Sequence, residues 1–174
     1  MQDRSPPASV PRLRTRRLTL REYRVGDFDA FAANVADPVA MAILGTHGRR
    51  DAWRMFGCNT GGWLLHGAGW WAIELSDSGA FVGTIGAFFR ETGPDIEIGW
   101  NTFRAHWGKG IATEAATEVV RHVFEDRAER RAIALIDAAN AASLRVAAHV
   151  GMTYEADTEL FGVTVGRYVR GPAR

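Results

Sequence analysis

The sequence predicts an α/β (α+β) chain: one domain with a mixed central sheet of about seven strands and about four flanking helices. Three observations carry this. Strand-like and helix-like stretches follow the order strand, helix, helix, three strands, helix, strand, helix, two strands. Within IATEAATEVVRHVFED, apolar Ile111, Ala115, Val119 and Val123 recur every four residues, the pattern of an amphipathic helix. That helix lies between two strand-like runs, so the 95–136 unit needs a parallel crossover if both strands share a sheet.

Each element has a local reason. RRLTLREY alternates, with Leu18 and Leu20 on one face of a strand. GDFDAFAANVAD opens on Asp27 as a cap and spaces Phe28, Phe31 and Val35 helically. RRDAWRMFGCNTGGWLLHG reads as a helix weakened by Gly57, Gly61 and Gly62. GWWAIELSDSGAFVGTIGAFF folds back as two strands around Asp77-Ser78-Gly79, and DIEIGWNTF follows as a third. RRAIALID is a buried strand, and NAASLRVAAHVG is a short helix stopped by Gly151. MTYEADTEL and GVTVGRYVR close the sheet.

Composition bounds the function. The chain has 174 residues, 47% of them apolar, enough for one domain with a real core. A net charge of +1 gives no bulk attraction for nucleic acid. No stretch is long and apolar enough for a membrane span, and the start lacks a signal-peptide core, so a cytoplasmic protein is expected. Residues 1–14 read as a flexible tail and 15–174 as the domain. Arginines from Arg12 to Arg24 read as solvated charges at an edge strand rather than a basic binding patch. The one cysteine, Cys58, excludes an internal disulfide. The scattered histidines show no H-E-x-x-H spacing, so no metal is expected.

The chemistry concentrates in WGKGIATEA, where a strand gives way to a helix. N–H groups at a helix start attract anions, and glycines let backbone approach a phosphate closely. Two nucleotide motifs fail: Phe103 stands where a P-loop needs glycine, and GKGIAT ends in Thr113 where a dinucleotide fingerprint needs glycine. The same segment carries the only lysine of the chain, Lys109.

WGKGIATEA resembles the pyrophosphate loop, Gln/Arg-x-x-Gly-x-Gly/Ala, of the GNAT acyl-CoA N-acyltransferases, with Trp107 at the first position. FVGTIGAF, EIGW and NAASLRVAAHVGM, in that order, are similar to further segments of the branch containing ribosomal-protein N-acetyltransferases, so the likeness spans about residues 15 to 170. The resemblance implies a GNAT-like sheet splayed between its fourth and fifth strands. It implies that the backbone of Trp107, Gly108, Lys109, Gly110, Ile111, Ala112 and Thr113 holds the acetyl-CoA pyrophosphate. Pantetheine would pair with the strand edge near Ile98 and Gly99 and meet Asn140. The expected activity is direct acetyl transfer, in a ternary complex, to a primary amine, either a protein N-terminus or a small molecule. The alternatives are an acyl-CoA-binding module without catalysis and a nucleotide-binding protein. A homodimer is left open.

Amide formation needs a base for the amine, a donor for the oxyanion and stabilisation of the thiolate. Glu97 is the candidate base, because alternation sets it on the opposite face from Ile96 and Ile98. Ser143, three residues after Asn140, is the candidate thiolate partner. Many GNAT proteins place a tyrosine four residues further on, where this chain has Ala147. Trp53, Trp63, Trp70, Trp71 and Phe56 are expected to divide between core and acceptor wall.

Overall fold

The computed structural model describes residues 9–91 and 93–172. The chain forms β1 (Leu13–Arg14), β2 (Leu18–Arg21), α1 (Phe28–Ala36), α2 (Arg49–His66), β3 (Gly69–Leu75), β4 (Phe81–Phe89) and β5 (Ile96–Thr102). It continues through α3 (Ile111–Arg121), β6 (Ala132–Ile136), α4 (Ala141–His149), β7 (Thr153–Leu160) and β8 (Val163–Arg170). One mixed sheet of eight strands results, in the order β1-β2-β3-β4-β5-β6-β8-β7.

The eighth strand is β1. Leu13 and Arg14 fall in the expected tail but pair with Leu20 and Thr19. Leu13 is buried, and the Trp71 indole N–H donates to the Pro11 carbonyl at 2.7 Å. Two residues show no alternation, so only the fold reveals this strand. Positions 1–8 of that tail lie outside the described residues. Several arginines near it are paired. Arg12 meets Glu22, and buried Arg21 meets Asp27 and Glu74.

Alternation fixes what each sheet face covers. Ile85, Ala87, Ile96 and Ile98 face α3, whose Ile111, Ala115, Val119 and Val123 are all buried in one cluster with them. The other face of β4 and β5 carries Thr84, Gly86, Phe88, Glu97, Gly99 and Asn101. Over it stand α1 and α2, packed through Phe28, Phe31, Val35 and Phe56. Of the aromatic group, Trp63, Trp71 and Phe56 are core, Trp53 is an exposed residue of α2, and Trp70 lies toward a cavity.

Among the described residues, the sheet is split at its one parallel joint. β4 and β5 stay paired from Gly83↔Thr102 to Phe89↔Ile96. β5 and β6 pair only at Ile96↔Ala132 and Glu97↔Ile133. Beyond those pairs, 98–102 and 134–136 diverge, leaving two facing strand edges with no strand between them. Backbone N–H and C=O groups there need other partners.

Candidate active site

Two cavities meet at this split. One, of about 480 Å³, is walled by Trp107, Gly108, Gly110, Ile111, Thr113 and Arg145, among others. The other, of about 530 Å³, lies over the α1–α2 face of the sheet, with Phe31, Trp70, Phe88, Arg90, Glu97 and Phe161 in its wall. Ile43, Leu44, Trp100, Asn101, Asn140 and Ser143 belong to both, so the two cavities adjoin there.

The first cavity is built by backbone. Gly108 and Gly110 both have φ of 73°, a left-handed conformation that costs other L-residues energy. Gly110 caps α3, so the free N–H groups of its first turn face the cavity. The Trp107 indole donates to the Thr102 carbonyl at 2.7 Å and ties the loop to the end of β5. The Lys109 ammonium donates to the Ala105 carbonyl at 3.0 Å, an exposed contact within the loop. Lys109 therefore braces the turn, and the glycines shape it.

Three further titratable groups frame this loop. Glu114, in the first turn of α3, accepts from the Thr15 hydroxyl at 2.6 Å and from the Arg17 N–H and guanidinium at 2.9 and 2.6 Å. Burial pushes the Glu114 carboxyl up, but these hydrogen bonds prevail and hold it below its ordinary value. His106 lines the same cavity; burial and then the Lys109 charge lower its pKa, keeping it neutral near pH 7. Arg145 of α4 stands in the wall and makes no hydrogen bond or ion pair among the described residues.

At the junction, the Trp100 indole donates to the Ser143 hydroxyl oxygen at 3.2 Å, spanning β5 and α4. The Asn140 side chain accepts from the Ser143 N–H at 3.0 Å, the N-cap of α4. Asn140 and Ser143 thus form one unit in the passage, and Ser143 keeps its own O–H free to donate.

The second cavity has an aromatic floor and one ion pair. A Cβ on Gly86 would lie 2.6 Å from the Trp70 ring, and one on Gly99 2.9 Å from it. The two glycines are what let Trp70 lie flat on β4 and β5, stacked beside Phe88 at 5.2 Å. Glu97 is buried, its side chain 7% exposed, and both its oxygens accept from Arg90, at 2.7 Å for the Nη2 contact. At the rim, Phe161 and Gly162 have φ of 50° and 81° in the two-residue turn joining β7 to β8.

The sequence-expected residues therefore fall into connected places. Trp107, Gly108, Gly110, Ile111, Ala112 and Thr113 line the loop cavity. Ile98, Gly99 and Glu97 line the second cavity, and Asn140 and Ser143 stand between the two. Lys109 lines neither cavity. Sequence reasoning missed Arg90, Trp100, Arg145 and Phe161. Of these, Phe161 had a legible signal, a Phe-Gly pair between two strands where Asn-Gly is the usual turn.

The acetyltransferase (GNAT) domain model matches residues 17–153, and the chain belongs to that family. Its sequence is 35% identical to YkkB of Bacillus subtilis (strain 168) over 107 residues, 60% of this chain and 62% of YkkB, so the match spans less than two thirds of that relative. An acetyltransferase from Agrobacterium tumefaciens str. C58 shares the fold with a TM-score of 0.87 and 28% identity, covering 94% of this chain and 96% of that one. RimL, a ribosomal L7/L12 alpha-N-protein acetyltransferase solved in complex with coenzyme A, shares it with a TM-score of 0.72 at 19% identity, covering 90% and 95%.

Proposed function

We propose that this protein transfers an acetyl group from acetyl-CoA to a primary amine in a ternary complex, acting in the cytoplasm. The observation that carries the proposal is the passage itself: a glycine-shaped anion loop joined through the β5–β6 split to an apolar cavity holding a buried carboxylate. The pyrophosphate would lie on the N–H groups of 108–113, with Arg145 beside it. The pantetheine arm would run along the open edge of β5 and carry the thioester to Ile98 and Gly99.

Glu97 receives the ammonium group of the acceptor and takes its first proton. The freed nitrogen lone pair attacks the thioester carbonyl carbon, and a β5 N–H near Ile98 or Gly99 holds the oxyanion. Collapse breaks the C–S bond. The second amine proton ends on sulfur, with the Ser143 hydroxyl placed by Trp100 to stabilise the leaving thiolate. The products are the amide, coenzyme A and one proton released to water. No cysteine lines either cavity, and exposed Cys58 lies on α2, which supports direct transfer over an acyl-enzyme.

A second reading, an acyl-CoA-binding module without catalysis, draws on Ala147, which supplies no phenol. Calorimetry with acetyl-CoA and with ATP, followed by thiol release on an amine panel, tests the proposal. We expect acetyl-CoA to bind, ATP not to compete, and at least one amine to turn over. Binding without turnover on any amine supports the module, and tight ATP binding without acetyl-CoA binding overturns both.

A further inference from the structure

The acceptor cavity contains an ion pair whose position is costly for folding alone. Removing an arginine and a glutamate from water is repaid only by excellent geometry, and apolar residues of similar volume often serve stability better. Glu97 of β5 and Arg90, the residue that follows the end of β4, both line the cavity, near the mouth of the β5–β6 split. Glu97 is engaged by the Nε and Nη2 groups of Arg90, one edge of the guanidinium. Nη1 makes no hydrogen bond among the described residues, and Arg90 remains 31% exposed. Its guanidinium lies 5.5 Å from the Phe88 ring and 5.7 Å from the Phe161 ring.

Phe161 sharpens the point. A two-residue hairpin turn with positive φ at both positions favours asparagine or glycine, and a bulky L-residue is strained there. Phe161 is nevertheless there, 90% exposed, over Arg90 at the cavity rim. An exposed aromatic held in a costly conformation gains nothing for the hairpin, and its ring stands beside the ion pair in the cavity wall.

We infer that the acceptor is a free α-amino acid with an apolar or aromatic side chain, recognised as a zwitterion by Arg90 and Glu97. This rests on the acetyltransferase reading and names the substrate of that same site. The α-nitrogen and α-carboxylate are two bonds from each other, a separation that suits a guanidinium and carboxylate already side by side. The nitrogen donates to a remaining lone pair of Glu97, and the carboxylate accepts from the open Nη1 edge of Arg90. The side chain lies on Trp70 and Phe88. A polyamine meets the Arg90 charge, and an amine without a carboxylate leaves Nη1 unpaired. A protein N-terminus presents a neutral amide where Arg90 offers a charge, and it must pass Phe161. The reaction balances as amino acid zwitterion plus acetyl-CoA giving the N-acetyl amino acid carboxylate, coenzyme A and one proton.

The experiment is thiol release from acetyl-CoA with phenylalanine, leucine and methionine, each against its amide and its decarboxylated amine, and with a short peptide bearing the same N-terminal residue. For the wild type, we expect kcat/KM for the free acid to exceed that for the amide and amine by roughly ten- to a hundredfold, the scale of a charge-assisted hydrogen bond. Arg90→Gln should shrink that preference to within about threefold while the acetyl-CoA KM stays unchanged, and Arg90→Lys should restore part of it. Equal or better turnover of the amides, amines or peptide by wild type overturns this inference and leaves the acetyltransferase reading standing. The same holds if the preference survives intact in Arg90→Gln. No turnover anywhere on a wider amine panel, with acetyl-CoA bound, overturns both.

Discussion

Gly110→Ala separates a cost of backbone shape from a cost of space. Gly110 has φ of 73°, and a Cβ there would meet only the Arg17 guanidinium, at 3.5 Å, an ordinary contact. The penalty is therefore conformational, about 1–2 kcal/mol for an L-residue in the left-handed region. If the loop keeps its shape, that cost falls on stability. If the loop relaxes, its N–H groups turn away from the phosphates and the cost falls on acetyl-CoA affinity, roughly a five- to thirtyfold loss. Relaxation is expected, because the loop is exposed on its outer side while α3 is anchored through its buried face.

Gly79 provides the control: φ is 70°, nothing lies within 4 Å of its Cβ position, and it turns β3 into β4 outside both cavities. Gly79→Ala should lower Tm and leave acetyl-CoA affinity alone. Lys109→Ala loses one exposed hydrogen bond, about 1 kcal/mol or less, and should weaken acetyl-CoA only modestly. Calorimetric titration of the three variants reads this directly. The reasoning is refuted if Gly110→Ala binds acetyl-CoA like wild type, or if Lys109→Ala weakens binding more than Gly110→Ala does.

The other predictions address the rest of the site and its support. Gly86→Ala pushes a methyl into the Trp70 ring, so acceptor KM should rise several-fold with acetyl-CoA affinity unchanged; an unchanged acceptor KM would show that Trp70 is not the floor. Glu97→Gln should lower kcat while acetyl-CoA still binds, and a normal kcat removes Glu97 as the base. Ser143→Ala should lower kcat by on the order of a hundredfold if its hydroxyl stabilises the thiolate, and a normal kcat dismisses that role. His122 is buried beside Trp71 with its Nε2 unpartnered, and burial lowers its pKa despite Asp126. The unfolded chain therefore takes up the proton first, and stability falls as pH drops below about 6.5. Tm measured from pH 7.5 to pH 5.5 should fall less steeply in His122→Leu, and equal slopes would contradict the assignment.

Much of this architecture is legible from periodicity. The spacing of Ile111, Ala115, Val119 and Val123 defines the buried face of α3, and alternation separates Glu97 from Ile96 and Ile98. What escapes is what depends on pairing between strands. Arg90 reaches Glu97 only because Phe88 is in register with Glu97, a fact that neither segment contains. Trp70 and Trp71 are neighbours of one residue type, and only what covers each face of β3 sends one to the cavity and the other to the core. Lys109 illustrates the reverse. Its rarity draws the eye, yet its ammonium serves the loop's own carbonyl, while two glycines without side chains shape the turn.

On the proposed mechanism, acetyl passes directly across the β5–β6 split between two substrates bound at once. Initial rates measured over a grid of acetyl-CoA and amine concentrations test it most directly. Double-reciprocal lines that intersect are predicted, because both cavities must be filled before the nitrogen can reach the thioester. Parallel lines, the mark of an acetyl-enzyme formed and discharged in turn, would contradict it.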